Sequence, residues 1–250
     1  MGFTFSKLIR GDHTWLQDKY NLWLDKSRNS VDSDREAARI ISHILTKNEE
    51  RIRTESWSAS SAGRCLREQQ FVYLGFPQGE SKYKQLNIFA NGDYVHLRHQ
   101  VAGLSEGYYT DVEVPVLIPE FKVKGTIDAI CEDGSIVDIK SMNTYVFKKQ
   151  FEEGKPKEEH VRQVHAYMRA TGIRKARLLY EDKNTQEVQE FVVNWDDEVN
   201  EKNEDDWRDL SILTQREELA PAYPEGDERC EWCVFNTKCR EWKFNSMEEG

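Results

Sequence analysis

A tight turn between two strand-like segments constrains the fold of this chain more than any other part of its sequence. Phe121 to Cys131 and Ser135 to Ser141 show period-two alternation with β-branched residues, and Glu132-Asp133-Gly134 connects them. When the turn is centred on its aspartate, Ile127 lies opposite Ile139 on an apolar face that belongs in a core. The pattern therefore predicts a hairpin with one buried face.

The other face of this hairpin places two carboxylates, Asp128 and Asp138, opposite each other. Like charges in such a position are destabilising unless a positive group lies between them. A hard divalent cation such as Mg²⁺ prefers oxygen ligands and supplies that charge. Lys140 follows Asp138 at the period-two spacing, so its ammonium can hold a nucleophilic water or a phosphate oxygen. The alternative is an exposed hairpin with scattered charges.

The rest of the chain predicts a helical front part followed by more strands and helices. We expect one α/β fold in which a mixed central sheet is flanked by helices. The predicted helices are Asp34 to Thr54, Ser58 to Leu74, Tyr83 to Leu104, Lys157 to Ala170 and Asp196 to Glu218. The further strands are Tyr109 to Ile118, Ala176 to Tyr180 and Glu187 to Val193.

The charge of the chain is unevenly distributed. With 35 Lys+Arg and 45 Asp+Glu the net charge is −10, which argues against a generic basic nucleic-acid binder. From Glu181 to Glu228, however, 17 acidic residues accompany 4 basic ones, and the remainder of the chain carries a net charge of +3. An acidic block, predicted to be a solvated helix face, thus hides a mildly basic body.

Two further patterns supply polar groups near the hairpin. His96 lies in the predicted third helix, where a histidine is more often a packed or surface residue than a ligand. Gln163 and Tyr167 share one face of a later helix at i and i+4, where they can bind a phosphodiester or orient Lys140. Taken singly, each is an ordinary half-buried surface feature.

Four of the five cysteines have a spacing that suits a metal. Cys65 stands alone near the front, and Cys230-x2-Cys233-x5-Cys239 follows near the end. Four thiolates form a tetrahedral sulfur site, for which structural Zn²⁺ and a [4Fe–4S] cluster are the two candidates, and spacing does not separate them. Cys131 ends a predicted strand and is best interpreted as a small buried hydrophobe.

Taken in order, the motifs resemble those of the PD-(D/E)XK nuclease superfamily in its RecB-like form. That family has a helical His, then Gly-x-x-Asp on a strand, Asp/Glu-x-Lys on the next strand, and Gln-x-x-x-Tyr on the following helix. Here these are His96, Gly125-Thr126-Ile127-Asp128, Asp138-Ile139-Lys140 and Gln163-Val164-His165-Ala166-Tyr167. The resemblance implies a restriction-endonuclease-like fold and hydrolysis of DNA phosphodiesters.

The resemblance also implies a role for each residue. Asp128 and Asp138 bind Mg²⁺ or Mn²⁺ together with His96 and the Ile139 carbonyl, and Lys140 helps to orient the attacking water. An imidazole ligand suits Mn²⁺ better than Mg²⁺, so we expect higher activity with Mn²⁺.

Several other residues accompany this set. Gln163 and Tyr167 complete the catalytic set, and Glu113, in the strand before the hairpin, is a possible extra carboxylate. Basic residues flank the proposed site and can line a groove that tracks phosphates: Lys82, Lys84, Arg98, Lys148, Lys149, Lys155, Lys157, Arg162 and Arg169.

The one-plus-three cysteine pattern resembles the iron–sulfur nucleases, namely the AddB nuclease domain and the CRISPR-associated RecB-like exonucleases of the fourth Cas family. Cys65-Leu66-Arg67 is similar to the context of the first ligand there. The resemblance favours a [4Fe–4S] cluster over zinc and implies that it joins the helical front to the cysteine tail.

The leading hypothesis is therefore a metal-dependent deoxyribonuclease with a structural iron–sulfur cluster, acting on DNA ends or single strands and most simply as an exonuclease. The alternative is a non-cutting DNA-binding or assembly factor in which the four-cysteine site is purely structural. No apolar run approaches the roughly 20 residues needed to cross a bilayer, so we expect a cytoplasmic protein without a membrane partner. Its protein partners, its cleavage polarity and its pathway are not indicated.

The predicted domain organisation has three parts. Residues 58–243 form the nuclease domain, 244–250 form a tail, and 1–57 form a helical segment of unassigned function. This first segment carries Trp15, Tyr20, Leu22 and Trp23, which we expect to pack on the domain rather than present an aromatic surface to DNA.

Overall fold

The computed structural model describes residues 15–27, 37–42, 56–79 and 83–242. The helices are α1 (Trp15–Ser27), α2 (37–42), α3 (Leu66–Tyr73), α4 (Tyr83–Glu106), α5 (Thr144–Glu152), α6 (Glu158–Thr171) and α7 (Asp197–Gln215). The strands are β1 (Trp57–Ser58), β2 (Tyr109–Ile118), β3 (Val123–Cys131), β4 (Ile136–Met142), β5 (Lys175–Asp182) and β6 (Val188–Asn194). None of the helices in these ranges is long and apolar enough to span a membrane.

The strands form one mixed sheet with helices on both faces, as the sequence predicts. The order is β1-β3-β4-β5-β6, and β2 pairs with β3 off this path. β1 runs parallel to β3, and β4 runs parallel to β5, while β2–β3, β3–β4 and β5–β6 are antiparallel. Parallel pairing of β4 with β5 requires a crossover, and α5 and α6 provide it.

The predicted hairpin register is confirmed where β3 and β4 pair. Ala129 pairs with Val137 and Ile130 with Ile136, and the ladder between the two strands extends no further. Further along the edge that faces β4, β3 pairs with β1 at Val123. The opposite edge of β3 pairs with β2. β3 and β4 therefore part within the sheet, a few residues from their turn.

This parting corrects two predicted pairings. Asp128 does not pair with Asp138, and Ile127 does not lie opposite Ile139, because the strands have separated before those points. Both isoleucine side chains are fully buried, but Ile127 packs in the core beneath α6 and α7, whereas Ile139 packs with Ala129 and Val137 beneath α1 and α4. The two sides of the sheet thus carry two separate cores.

The helix predictions hold in different degrees. The predicted helix from Ser58 to Leu74 is partly wrong, because α3 begins only at Leu66. Trp57 and Ser58 are drawn into the sheet as β1, and tertiary pairing overrides their local helix signal. The α5 helix was not predicted, although Asn143 caps it by accepting a hydrogen bond from the Val146 N–H at 3.0 Å. Of the helix predicted from Asp34 to Thr54, residues 37–42 are helical and the rest lies outside the described residues.

The α1 helix packs on the sheet instead of presenting an aromatic surface. Trp15 lies under the Arg177 guanidinium, with 4.4 Å between the guanidinium carbon and the ring centre. Tyr20 is buried and stacks on Trp23, with 5.7 Å between ring centres. Of the four residues predicted to pack, Leu22 alone is exposed. These contacts attach α1 to the core that it shares with α4.

A close approach between α4 and β2 depends on Gly103. A Cβ atom at this position would lie 2.0 Å from Cδ2 of the buried Tyr109 ring. We expect Gly103→Ala to lower the free energy of unfolding by about 1–3 kcal/mol, because the ring would have to move within a packed core. Urea denaturation measures this difference.

Gly92→Ala is the matched control on the same helix. Its Cβ would meet only the Ser141 Oγ at 3.8 Å, an ordinary contact, so no close approach requires a glycine at this position. We expect this variant to keep or raise the stability by up to about 1 kcal/mol through helix propensity. Equal effects of the two substitutions would contradict the packing argument.

Candidate functional site

The site lies at the point where β3 and β4 part. Asp128 is the first residue of β3 beyond the shared ladder, and its Oδ2 accepts a hydrogen bond from the Ile139 N–H at 2.6 Å. A side-chain carboxylate thus replaces the backbone carbonyl that a continued ladder would have supplied. This contact brings the two predicted strand motifs together at one place.

His96 reaches the same carboxylate from α4. The His96 Nδ1 lies 3.4 Å from the Asp128 Oδ1. Burial opposes protonation of His96, but the Asp128 carboxylate outweighs it and raises the pKa of the imidazole. Burial likewise opposes ionisation of Asp128, yet His96 and Lys140 hold the pKa of that carboxyl below its ordinary value. The predicted association of His96 with the hairpin is therefore present in the fold.

Asp138 and Lys140 form a buried ion pair on β4. The Lys140 Nζ lies 2.8 Å from the Asp138 Oδ2 and donates a hydrogen bond to the Gln163 Oε1 at 3.1 Å. Burial raises the pKa of Asp138 to about 6, although the ammonium acts against this rise. Burial also disfavours the Lys140 cation, but the Asp138 and Asp128 carboxylates raise its pKa overall. Lys140 is consequently held as an ammonium between carboxylates.

Gln163 and Tyr167 support this ion pair from α6. The Gln163 amide nitrogen lies 2.8 Å from both the Asp138 Oδ1 and the Tyr167 hydroxyl, while its oxygen accepts from Lys140. The Gln163–Lys140 hydrogen bond is the contact that the predicted orientation of Lys140 requires, and the role itself stays a prediction. A Cβ at Gly125 would lie 2.8 Å from the Tyr167 ring, so the glycine of the first strand motif makes room for the tyrosine.

One oxygen of the site lacks a normal hydrogen bond. The Asp138 Oδ2 is fully buried, and although Lys140 lies close, the contact has no hydrogen-bond geometry. A buried carboxylate oxygen in this state suits a cation ligand. Asp128 and Asp138 offer oxygens and His96 a nitrogen, a donor set that fits Mg²⁺ or Mn²⁺. In the described part of the chain, no three His, Cys, Asp or Glu side chains are already arranged around a metal position.

Glu113 belongs to the same region and has an unusual backbone. Its φ of +52° is rare for a residue other than glycine. In the register between β2 and β3, Glu113 on β2 lies opposite Asp128 on β3. Val112 before it and Val114 after it contribute to different cores, so the strand changes its buried face here. The Gln100 Nε2 donates to the Glu113 Oε1 at 2.7 Å and to the Asp128 carbonyl at 3.0 Å. The predicted extra carboxylate is therefore attached to the site through Gln100.

The predicted basic groove is only partly available. Arg98 pairs with Glu181, and Arg162 lies 2.8 Å from Asp206 on α7. Arg169 binds both Glu120 and Glu204. The exposed lysines of the predicted set, which surround the α5 and α6 helices, are Lys148, Lys149, Lys155 and Lys157. Lys82 and the Lys84 side chain lie outside the described part of the structure.

The four cysteines of the predicted metal clasp lie just before α3 and between residues 230 and 239, and no three of these described side chains are arranged around a metal position. All are free thiols, and Cys65 is buried at the start of α3. Burial raises the pKa of Cys230 and of Cys233, and the neighbouring thiols of Cys65 and Cys239 add to both shifts. Cys65 and Cys239 thus influence the other two thiols, and the metal clasp itself stays a prediction.

Aromatic and amide groups hold the cysteine tail against α3. Phe71 packs between Phe76 and Phe235, with ring-centre distances of 4.5 and 5.3 Å. The Gln70 side chain accepts from the Ala220 N–H at 2.7 Å and donates to the Glu218 carbonyl at 2.9 Å. The remaining cysteine, Cys131, is fully buried, as predicted, and burial raises its pKa to about 12.

Sequence reasoning missed three residues of this region. Gln100 stands at i+4 from His96, and His160 stands at i−3 from Gln163, so helical spacing from the recognised residues could have identified both. Tyr180 pairs with Lys140 across the parallel β4–β5 ladder, and only the register of the sheet reveals it.

Comparison with solved structures agrees with this architecture. LHK-Exo, an alkaline exonuclease from Laribacter hongkongensis solved in complex with dAMP, matches with a TM-score of 0.50 and 17% identity, over 65% of this chain and 93% of that chain. At this identity the similarity is one of fold. No match was found in a scan with protein-family models or in a search of curated proteins.

Two weaker structural matches accompany it. SSO0001 matches with a TM-score of 0.49 and 19% identity, over 84% of this chain and 96% of that chain. A phage-related exonuclease from Haemophilus somnus matches with a TM-score of 0.41 and 12% identity, over 68% and 99%. Neither similarity is strong enough to support a conclusion. An iron–sulfur type is not indicated by these matches.

We expect Gln100→Leu to destabilise the protein by about 1–3 kcal/mol, because the substitution removes a buried donor shared by the Glu113 carboxylate and the Asp128 carbonyl. Urea denaturation checks this value. Gln189→Leu is the control, since its amide donates only to Glu187 at an exposed position. Its expected change is within about 0.5 kcal/mol. A similar small change for Gln100→Leu would show that the bridge contributes little.

Proposed function

We propose that this protein is a divalent-metal-dependent deoxyribonuclease of the RecB-like PD-(D/E)XK type, which hydrolyses phosphodiester bonds at DNA ends or in single strands as an exonuclease. One observation carries the proposal: Asp128, Asp138 and Lys140 meet where β3 and β4 part, and Gln163 binds the Asp138–Lys140 pair. A structural hairpin has no need of a lysine held between two carboxylates at this point.

The donor set indicates how a cation would be held. Asp128, Asp138 and His96 would be its side-chain ligands, with the Ile139 carbonyl as a further oxygen, and the Ile139 assignment stays a prediction. Bound Mg²⁺ or Mn²⁺ would lower the pKa of a water molecule and stabilise the charge that develops on the phosphate.

The chain's own residues would prepare the attack. The Lys140 ammonium, fixed by Gln163, is placed to hold the attacking water or a phosphate oxygen through a charge-assisted hydrogen bond. Tyr167 holds the other side of the Gln163 amide, so the orientation of Lys140 depends on both residues. Glu113 adds a carboxylate, and the Gln100 amide joins it to β3 because it also donates to the Asp128 carbonyl.

The substrate class has weaker support. The fold of LHK-Exo, an exonuclease that was solved with a deoxynucleotide, is similar to that of this chain. Exposed lysines on α5 and before α6 supply contacts for a phosphate backbone. These observations favour DNA as the substrate, and attack from DNA ends is the simplest form of the proposal.

We further propose that Cys65, Cys230, Cys233 and Cys239 bind a structural [4Fe–4S] cluster, with Zn²⁺ as the alternative. Support comes from the mutual electrostatic effects of the four thiols and from the packing of the tail against α3. Metal–thiolate bonds would close a loop that encloses most of the chain, so the metal would join the front of the domain to its end.

We expect Lys140→Ala and Asp138→Asn each to reduce DNA cutting by at least about 100-fold, because each removes a charged group at the reacting phosphate. Cutting of linear single- and double-stranded DNA is measured with Mg²⁺ and with Mn²⁺. Lys175→Ala is the matched control: Lys175 forms an exposed ion pair with Asp133 at the turn, and the variant should cut like the wild type.

Circular dichroism confirms that each variant is folded before its activity is scored. Undiminished cutting by Lys140→Ala and by Asp138→Asn would contradict the proposed mechanism. A folded wild-type protein that binds DNA but fails to cut it with either cation would favour the non-cutting DNA-binding factor.

We expect anaerobically purified protein to be brown, with iron and sulfide, and expect Cys233→Ser to lose the metal. Without it, hydrogen exchange should speed up both in α3 and around residues 228–240, because the clasp joins them. Cys131→Ser is the control that should keep the metal. A colourless protein with stoichiometric zinc would show that the four cysteines bind Zn²⁺ and not a cluster. A protein without either metal would contradict the clasp.

A further inference from the structure

His160 borders the proposed active site without belonging to any of its motifs. It lies one turn before Gln163 on α6, and Gln163 is hydrogen-bonded to Lys140. The His160 Nδ1 lies 2.8 Å from the hydroxyl of Tyr180, which is the neighbour of Lys140 across the β4–β5 ladder. Helix spacing and sheet register thus place the imidazole near Lys140, whose cation acts on it electrostatically.

The hydrogen bonds of Tyr180 determine which nitrogen of His160 carries the proton. Tyr180 is fully buried, and its phenol O–H is a better donor than an imidazole N–H, while an imidazole nitrogen is a better acceptor than a phenol oxygen. Its own hydrogen needs an acceptor, and the His160 Nδ1 is at the right distance. A neutral imidazole that accepts at Nδ1 carries its hydrogen on Nε2. His160 therefore presents an N–H donor on the side of the ring away from Tyr180.

The ring that carries this donor is uncharged and partly exposed. Burial lowers the pKa of His160 well below its ordinary value, and the Lys140 and Lys157 cations lower it further. About 15% of the side chain is exposed, and the Nε2 lies 3.9 Å from the Glu159 Oε1, which is too far for a hydrogen bond. A protonated imidazole would repel the Lys140 ammonium, whereas a neutral N–H donor can bind an anion beside it without that repulsion.

We propose that the His160 Nε2–H donates a hydrogen bond to a non-bridging phosphate oxygen of the DNA strand next to the scissile phosphodiester. This inference rests on the proposed function, because it assumes that DNA occupies the site. Tyr180 acts through His160 and is a positioning residue, since its hydroxyl selects the tautomer. The subsite adds affinity through hydrogen bonding and adds no positive charge.

Binding of a fluorescein-labelled single-stranded oligodeoxynucleotide tests the contact, with Ca²⁺ in place of Mg²⁺ and fluorescence anisotropy as the readout. We expect His160→Ala to weaken binding about tenfold, the effect of losing one hydrogen bond to a charged group. His160→Gln, which keeps both an acceptor and a donor, should recover much of the affinity. Tyr180→Phe should cause a smaller loss, because the ring can then adopt the other tautomer.

The salt dependence separates a neutral donor from a cation. For His160→Ala, the slope of log K against log salt should equal that of the wild type, whereas Lys157→Ala should reduce its magnitude by about 0.7 per lost phosphate contact on a single strand. A reduced slope for His160→Ala would show that His160 binds as a cation. Wild-type affinity of His160→Ala for the oligodeoxynucleotide would overturn the proposed subsite.

The tautomer can be tested without DNA. We expect nitrogen NMR shifts of His160 to show the Nε2–H form from pH 6 to 8 in the wild type and a mixture of tautomers in Tyr180→Phe. An Nδ1–H or protonated ring in the wild type would overturn the proposal. If the wild type binds DNA in the predicted way but does not cut, the nuclease proposal fails while the His160 contact stands.

Discussion

The structure depends on the hydrogen bond between the Asp128 carboxylate and the Ile139 N–H. Two antiparallel strands that part within a sheet leave backbone groups without partners, and a buried N–H without a partner costs free energy. Asp128 satisfies the Ile139 N–H at 2.6 Å and so stabilises the separation. The opening that results admits side chains from α4 and α6, and it places the second carboxylate, Asp138, inside the protein.

Burial of charge in this opening is balanced by specific partners. Asp128 is paired with His96, and Asp138 with Lys140, while Gln163 satisfies the second oxygen of Asp138 and orients the lysine. Breaking a buried ion pair is strongly destabilising, so these groups are held in one arrangement. The same balance leaves one Asp138 oxygen without a normal hydrogen bond, which is the property that suits it to a cation.

The acidic block has a structural role that its net charge conceals. Acidic side chains of α7 bind the arginines of α6, as in the pairs Arg162–Asp206 and Arg169–Glu204. These arginines therefore support the packing of two helices and are not free to follow a DNA backbone. The exposed members of the predicted basic set are lysines, and a protein with a negative net charge can still attract a phosphate backbone through a local basic surface whose effect is strongest at low salt.

Much of the fold and of the site follows from local patterns. Period-two alternation and the Asp-Gly turn predict β3, β4 and their register, and helical periodicity predicts α4, α6 and α7, because these signals depend on neighbouring residues. The segment before α3 was mispredicted, since Trp57 and Ser58 form a strand only by pairing with a distant partner.

What the sequence alone determined is the order of the chemical groups and the elements that carry them. The tertiary structure decided where β3 and β4 part, that Gln100 joins Glu113 to Asp128, and that the Tyr180 hydroxyl meets the His160 imidazole. Each of these depends on contacts between residues from separate elements. Sheet register and helix packing create such contacts, and no local pattern encodes them.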